Sequence, residues 1–283
     1  MRTNKEKLPI VSVQGTVWHP KGGAAGKITA DGGVVWLAGT GGITYNAKIG
    51  DICMGWVADH LEPGVTARNK EDDCNQAFTV LSCIGNEATI RSGDAKGEKG
   101  IVTGKHGGSE HLLIHFAEET LEKLSIGDTI SIKTCGQGME FLDHTEIKMR
   151  SVSPVLLEKM NISEENGKLK IGVAKIVPSA IMGSGIGHQS SARGDYDICV
   201  ADNGNIEKYN LADLRFGDIV AVTDADTRYG RVYRQGAVTI GVVVHGDSFI
   251  AGHGPGVTTL FTCDRPLIEP VIDAKANLAD MFL

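Results

Sequence analysis

The segment HGDSFIAGHGPGV, residues 245–257, places two histidines, an aspartate and four glycines in thirteen positions. It follows GAVTIGVVV, a run that reads as a buried strand. His245 stands at the end of that strand, and Asp247 shares its face if the strand continues. Gly252, Gly254 and Gly256 surround His253 and leave its imidazole little side-chain cover. A hairpin needs one or two glycines. GHGPG implies a backbone that closely approaches a ligand, a metal-bound group or a second copy of the chain.

Two further segments hold acids near predicted strand ends. ARGDYDI brings Arg193, Asp195 and Asp197, and it follows the small-residue run MGSGIG that contains Gly185. That run lacks the dinucleotide-binding order of glycines, and its small residues suit close backbone approach or an irregular scaffold equally well. VTDAD adds Asp224 and Asp226, which face one side if the chain stays extended. Carboxylates of this kind suit a hard divalent ion, and nearby histidines shift the preference toward zinc or manganese. The competing reading is a set of solvated turn acids. The expected ligands of a divalent metal (zinc, manganese or magnesium) are therefore Asp195, Asp197, Asp224 and Asp247. His245 and His253 are the expected catalytic pair, with His253 near neutrality as a proton shuttle. Gly185, Arg193, Gly252 and Gly254 are the expected substrate-binding positions.

The first half is less explicit. DHLEPGV offers Asp59, His60 and Glu62, which read equally as a ligand set or a polar turn. His111 and His115 lie in HLLIHF, a predicted strand, and read as structural. SGDAKGEKGIVTGKHGG, residues 92–108, carries Lys96, Lys99, Lys105 and His106 and resembles the glycine-centred KOW turn of small RNA-binding barrels. It lacks interleaved aromatics for stacking bases. The expectation is a surface hairpin with solvated lysines, with an anion-binding loop second.

The elements that would position these residues are short. The 37 glycines and scarce helical periodicity, among short apolar runs, favour a mainly β fold of two barrel- or sandwich-like halves with few short helices. SPVLLEKM (153–160), capped by Ser153, is a predicted helix, as are EETLEKL and the terminal IDAKANLADMFL. LEKLSIGDTISI and LADLRFGDIVAV share a Leu-x-x-Leu-x-x-Gly-Asp unit, loosely echoed by NAKIGDICMG. Asp51, Asp128 and Asp218 then bond turn amides. The expected division is an N-terminal β-rich domain, 1–150, and a C-terminal one, 151–283, that carries the site.

A net charge of −7, from 28 basic and 35 acidic side chains, opposes non-specific binding to nucleic acid or anionic membrane. No apolar run approaches the roughly 20 residues of a membrane helix. The N-terminus lacks the apolar core of a signal peptide. The expectation is a cytoplasmic protein with six reduced cysteines, a small-molecule ligand, no nucleic-acid or membrane partner, and self-association as a homo-oligomer.

With these residues in hand, the chain resembles, over nearly its whole length, a prokaryotic family known only as domain of unknown function 4438. The resemblance rests on GGITYN, DHLEPGV, LSCIGNE, SGDAKG, VTGKHGG, MGSGIG, DYDI, GDIVA, GAVTIGVVVH and AGHGPGV. The chain is also remotely similar to acetamidases and formamidases, β-rich metal-dependent amide hydrolases. There Arg193–Asp197 matches a Gly-Gly-Asn-x-Asp segment and Gly246–Phe249 a Gly-Asp-x-His segment. Phe249 stands where that family has histidine, and Gly254 and Gly256 where acids are expected, so the resemblance implies the fold more than the amidase site. The function expected is a metal-assisted hydrolase acting on a small amide-like bond; the alternative is a non-catalytic binder of a small anion.

Overall fold

A computed structural model describes residues 1–22, 26–186, 190–200 and 203–283. The fold is mainly β, as expected, with a closed six-stranded barrel, a half-barrel and few short helices. The first half contributes β1 (Val11–Val17), the two-stranded ribbon β2 (Lys27–Ile28) and β3 (Val34–Val35), and β4 (Ile43–Thr44). Then come β5 (Gly64–Arg68), β6 (Glu87–Ile90), β7 (Lys99–His106), β8 (His111–His115) and β9 (Thr129–Thr134). The barrel runs β1-β9-β6-β7-β8-β5 and closes where Thr16 and Val17 of β1 pair with Arg68 and Ala67 of β5. Closure pairs the backbone edges that an open sheet leaves exposed.

The second half contributes β10 (Lys148–Met149), β11 (Ile162–Glu165), β12 (Lys168–Val173), β13 (Lys175–Pro178), β14 (Met182–Ile186) and β15 (Asp195–Ile198). They are followed by β16 (Ile219–Asp226), β17 (Val232–Val243), β18 (Gly256–Cys263) and β19 (Ile268–Ile272). The half-barrel runs β13-β16-β17-β18-β15-β14, with β10 added to β18; β11-β12-β19 form a smaller sheet. One hydrophobic core draws on both halves, from Ile130 and Ile132 of β9 to Ile240 of β17 and Leu260 of β18. The halves meet where β7 packs on the strand-end segment after β17. Gly104 lies so close to Val244 that a Cβ would stand 2.6 Å from it, so glycine lets the two sheets approach.

The described chain has five α-helices: α1 (Asp72–Leu81), α2 (Glu118–Leu121), α3 (Pro154–Lys159), α4 (Asn203–Lys208) and α5 (Leu278–Phe282). α3 forms as read, with Ser153 Oγ accepting from the Leu156 amide at 3.1 Å and Pro154 in the first turn. Only the end of IDAKANLADMFL is helical. α1 escaped the sequence reading, since its buried face is largely polar: Asn75, Phe78 and Thr79. The repeated Gly-Asp unit is a turn device throughout. Asp51, Asp128 and Asp218 accept from the amides of Lys48, Ser125 and Arg215, three residues earlier in each case. All six cysteines are free thiols. Among the described residues no helix is long and apolar enough to cross a membrane.

The segment 92–108 departs from expectation. Residues 99–106 are the barrel strand β7, and only the stretch before them is turn. Lys105 is fully buried instead of solvated. Its ammonium donates to the carbonyls of Ala192 at 2.8 Å and Val80 at 3.2 Å, which ties β7 to α1 and to the segment leading into β15. Burial lowers its pKa to about 8. The apolar neighbours on β8 and across the interface make this a core strand despite its lysines.

Candidate metal centre

β15 explains why two acids two residues apart matter. In a strand, alternate side chains share a face, so Asp195 and Asp197 project together while Tyr196 projects the other way. Facing them are His245, just past the end of β17, and His253, in the glycine-rich segment before β18. The barrel supplies the remainder: His106 ends β7, and His60 lies in the loop before β5 with φ of 55°. A non-glycine residue held in the left-handed region is a strained placement of the kind found at functional sites.

These six side chains form two triads, His60–Asp197–His253 and His106–Asp195–His245, each with three potential ligand atoms within 4.8 Å of one another. In the first, His60 Nε2 and His253 Nδ1 are 3.0 Å apart, His253 Nδ1 and Asp197 Oδ2 are 3.0 Å apart, and His60 Nε2 and Asp197 Oδ2 are 3.6 Å apart. Three atoms bound to one ion at about 2.1 Å stand about 3.0–3.4 Å from each other, so the triad is close to ligand geometry. In the second, His245 Nε2 and Asp195 Oδ2 lie 2.7 Å apart. Both atoms are buried, yet neither is aligned along a hydrogen bond with any described partner. Buried polar atoms rarely stay unsatisfied. The other Asp197 oxygen, Oδ1, is 3.7 Å from His245 Nε2, so this carboxylate reaches toward both triads.

Outer partners fix which nitrogen faces inward. His60 Nδ1 donates to Asp59 Oδ2 at 3.0 Å, His106 Nδ1 to Glu62 Oε1 at 2.5 Å, and His245 Nδ1 to the Gly246 carbonyl at 2.9 Å. An ionised carboxylate or a carbonyl can only accept, so each Nδ1 carries a proton and each Nε2 is left for the cluster. Such support is typical of metal-bound histidines. Asp59 is itself bonded by Lys27 and by Ser248 Oγ at 2.7 Å. Glu62 also accepts from His111 Nδ1 at 3.0 Å and from Thr66. His111 thus positions Glu62, in keeping with its structural reading. Asp195 Oδ1 accepts from the Gly107 amide at 2.8 Å and Asp197 Oδ2 from that of Gly254 at 3.3 Å.

The charges respond to this crowding. Burial opposes ionisation of Glu62, but His111 and His106 outweigh it and hold the carboxyl well below its usual range. Burial likewise opposes ionisation of Asp197 and Asp59, and their histidine partners hold both low. Burial pulls the His245 pKa down, yet Asp195 and Asp197 push it up to about 9. His106 goes the other way, lowered by burial and by the neighbouring His245. Four buried carboxylates around four histidines are costly without cations or protons to offset them.

The glycines act sterically. A Cβ on Gly256 would overlap both Asp195 Oδ2 and His245 Nε2, so only glycine leaves these ligand atoms their positions. A Cβ on Gly254 would strike the Ile198 carbonyl, and Gly252, with φ of 76°, presses its carbonyl against Gly183. Gly252 and Gly254 therefore shape the ligand loop. Gly185 lies within the span of β14, but its surroundings fall outside the described residues.

Three expected site residues, Arg193, Asp224 and Asp247, stand elsewhere, as does Asp226. Arg193 pairs with Glu110 at 2.6 Å, a link within the support of the site and not in the cluster. Asp224 sits at a bulge of the β16–β17 hairpin with φ of 56° and accepts from the Gly236 amide at 2.7 Å. Asp226 pairs with Arg228. Neither is a solvated turn acid: both lie within β16, Asp224 at its bulge and Asp226 buried, and neither joins the triads. Asp247 accepts from the Gly55 amide at 2.8 Å, and its carbonyl receives the His60 amide at 3.0 Å. It positions His60's loop. The residues missed are His60 and His106, along with the outer carboxylates Asp59 and Glu62. For Asp59, His60 and Glu62 the signal was the Asp-His-x-Glu cluster, which a site confined to the second half left unused; His106 had no such local signal.

Matches to known proteins fall on both halves. Residues 27–158 match the N-terminal domain of unknown function DUF4438, and residues 159–282 match the C-terminal DUF4438 domain. A crystal structure described as that of TM1086 is 47% identical, with a TM-score of 0.95, and the match covers 100% of this chain and 99% of that one. Among curated proteins none matches the chain. No match supports the similarity to acetamidases and formamidases.

Proposed function

This chain belongs to the DUF4438 family, and we propose that it is a hydrolase with a two-ion metal centre, acting on a small amide-like substrate. The observation that carries the reading is the pair of His₂Asp triads with Asp197 reaching toward both. Mixed imidazole and carboxylate ligands suit zinc or manganese better than magnesium. The four nearby carboxylates, Asp59, Glu62, Asp195 and Asp197, would offset the charge of two divalent cations. A pair of such ions polarises a carbonyl and activates water near neutral pH.

Within this reading the roles of His245 and His253 change from acid–base catalysts to ligands, since each contributes a nitrogen to a triad. Access limits the substrate. His253 has 32% of its side chain exposed, whereas His60, His106, Asp195, Asp197 and His245 are all buried. A substrate must enter past His253 and be small. Lys27 of the β2–β3 ribbon and Ser248 both bond Asp59, which holds the ribbon beside the His60 face.

The test is elemental analysis of purified protein, followed by chelation, reloading and hydrolysis of a panel of small amides and esters. Two divalent ions per chain, with turnover lost on chelation and restored on reloading, is the expected result. A chain that takes up no divalent ion at micromolar concentration overturns the proposal.

A further inference from the structure

The strand that aims Asp195 and Asp197 at the triads has a second face. Tyr196 projects from it into a cavity of about 190 Å³ inside the half-barrel, where Val257 stands opposite in register. The walls include Val222, Thr239 and Thr259, and Arg231 stands at the rim. None of the six triad residues lines this space. It is a separate chamber that shares the β15–β18 wall.

Two groups in the chamber lack the partners their chemistry calls for. Tyr196 is 3% exposed, yet its hydroxyl has no hydrogen-bond partner among the described residues. Buried tyrosine hydroxyls ordinarily find one. A phenol is neutral at physiological pH and can donate. Arg231 is half-buried and donates to the Gly183 carbonyl, but no carboxylate lies within ion-pairing distance of it among the described residues. Its neighbours on the same hairpin do have acids: Arg228 and Arg234 both pair with Asp226 and Asp264. An unpaired guanidinium beside a neutral phenol donor, above valine walls, matches one ligand chemistry: an anionic head that accepts from both, carried on a short apolar body.

We propose that this chamber is a second ligand site, binding a small monocarboxylate through Arg231 and Tyr196, independent of the metal centre. The carboxylate takes the guanidinium's free N–H groups and the phenol hydrogen bond, and the chain of the acid lies against Val222 and Val257. The volume of about 190 Å³ admits a short aliphatic acid.

Isothermal titration calorimetry on the full chain, both chelator-treated and metal-loaded, tests this with butyrate, using 1-butanol as the uncharged match. Butyrate should bind at one site per chain in both preparations, and butanol about tenfold or more weaker. Arg231→Met, a substitution at a half-exposed position, should weaken butyrate about tenfold, and Tyr196→Phe by a smaller factor; both variants should keep the metal content of the parent. Butyrate binding unchanged in Arg231→Met overturns the proposal, as does binding equal to that of butanol, or no binding. Binding seen only in metal-loaded protein and lost in His253→Ala also overturns it, because the acid would then be a ligand of the ions. Metal content, measured separately, reports on the metal centre whichever way the calorimetry falls.

Discussion

The two triads have the same composition and differ in how they are held. His106, Asp195 and His245 sit on β7, on β15 and just past the end of β17, and all three are buried. His60 and His253 come from loops, one strained at φ of 55° and the other a third exposed; only Asp197 of that triad is on a strand. Strand-borne ligands are pre-placed by the ladder hydrogen bonds of two sheets, whereas loop-borne ligands move at small cost. The inner triad should therefore hold its ion tightly, and the outer triad should exchange its ion and meet the substrate.

The largest effect expected is at the shared residue. Asp197→Ala removes a ligand from the outer triad and the carboxylate that reaches toward the inner one. Its loss should exceed the 10- to 100-fold affinity penalty typical of outer-shell partners. Metal content should fall from two ions per chain to one or fewer, and turnover should vanish. A variant retaining two ions would mean that Asp197 does not couple the triads.

Single histidines should separate the two. His245→Ala leaves Asp195 buried without its charge partner, so the metal-free protein should lose about 3 kcal/mol along with the inner ion. His253→Ala, at an exposed loop, should lose the outer ion alone and change stability by less than about 1 kcal/mol. Equal melting temperatures for these variants would dissolve the distinction between rigid and adaptable triads. Glu62→Gln is a milder probe. It keeps the shape beside His106 but weakens its orientation, so inner-ion affinity should fall about 10- to 100-fold with the outer ion unaffected.

Proton competition gives a smaller, graded effect. With His245 raised to about 9 by Asp195 and Asp197 against the pull of burial, the metal-free protein carries that proton at neutral pH. An ion entering the inner triad must displace it, so apparent affinity should climb about tenfold per pH unit and level off near pH 9. In the metal-free chain the sign reverses. The stability supplied by protonated His245 is complete below the ordinary histidine value and fades as pH rises toward 9. Competition titrations with a chelator, and melting curves of metal-free protein between pH 6 and 9, read the two slopes (about neutral to mildly basic).

How much of this was legible in the sequence follows from distance along the chain. The period-two spacing of Asp195 and Asp197 and the excess glycines around His253 are local signals, and both mark the centre. The mainly β class was also local, written in short apolar runs between glycines. His106 is 139 residues from His245, and nothing near it announces that β7 packs beside the end of β17. Its flanking glycines and lysines imitate a solvated hairpin, since burial of Lys105 depends on carbonyls supplied by α1 and the Ala192 segment. Barrel closure is of the same kind: the β1–β5 pairing joins segments some fifty residues apart. Asp224 and Asp247 misled for the converse reason. They have the right type and spacing, but a bulge turns the first to the Gly236 amide and a loop contact turns the second to Gly55.

Asp224 provides the smallest expected effect and the sharpest control. It lies outside both triads, accepts one backbone hydrogen bond and occupies the left-handed region at φ of 56°. Asparagine tolerates that conformation and keeps the acceptor, so Asp224→Asn should change stability by a few tenths of a kcal/mol at most. Alanine loses the acceptor and fits the left-handed region poorly, so Asp224→Ala should cost about 1–2 kcal/mol. Neither should alter metal content or the affinity of either ion. A loss of metal in Asp224→Asn, with the melting temperature unchanged, would bring the β16–β17 bulge into the centre and end the division into an inner and an outer triad.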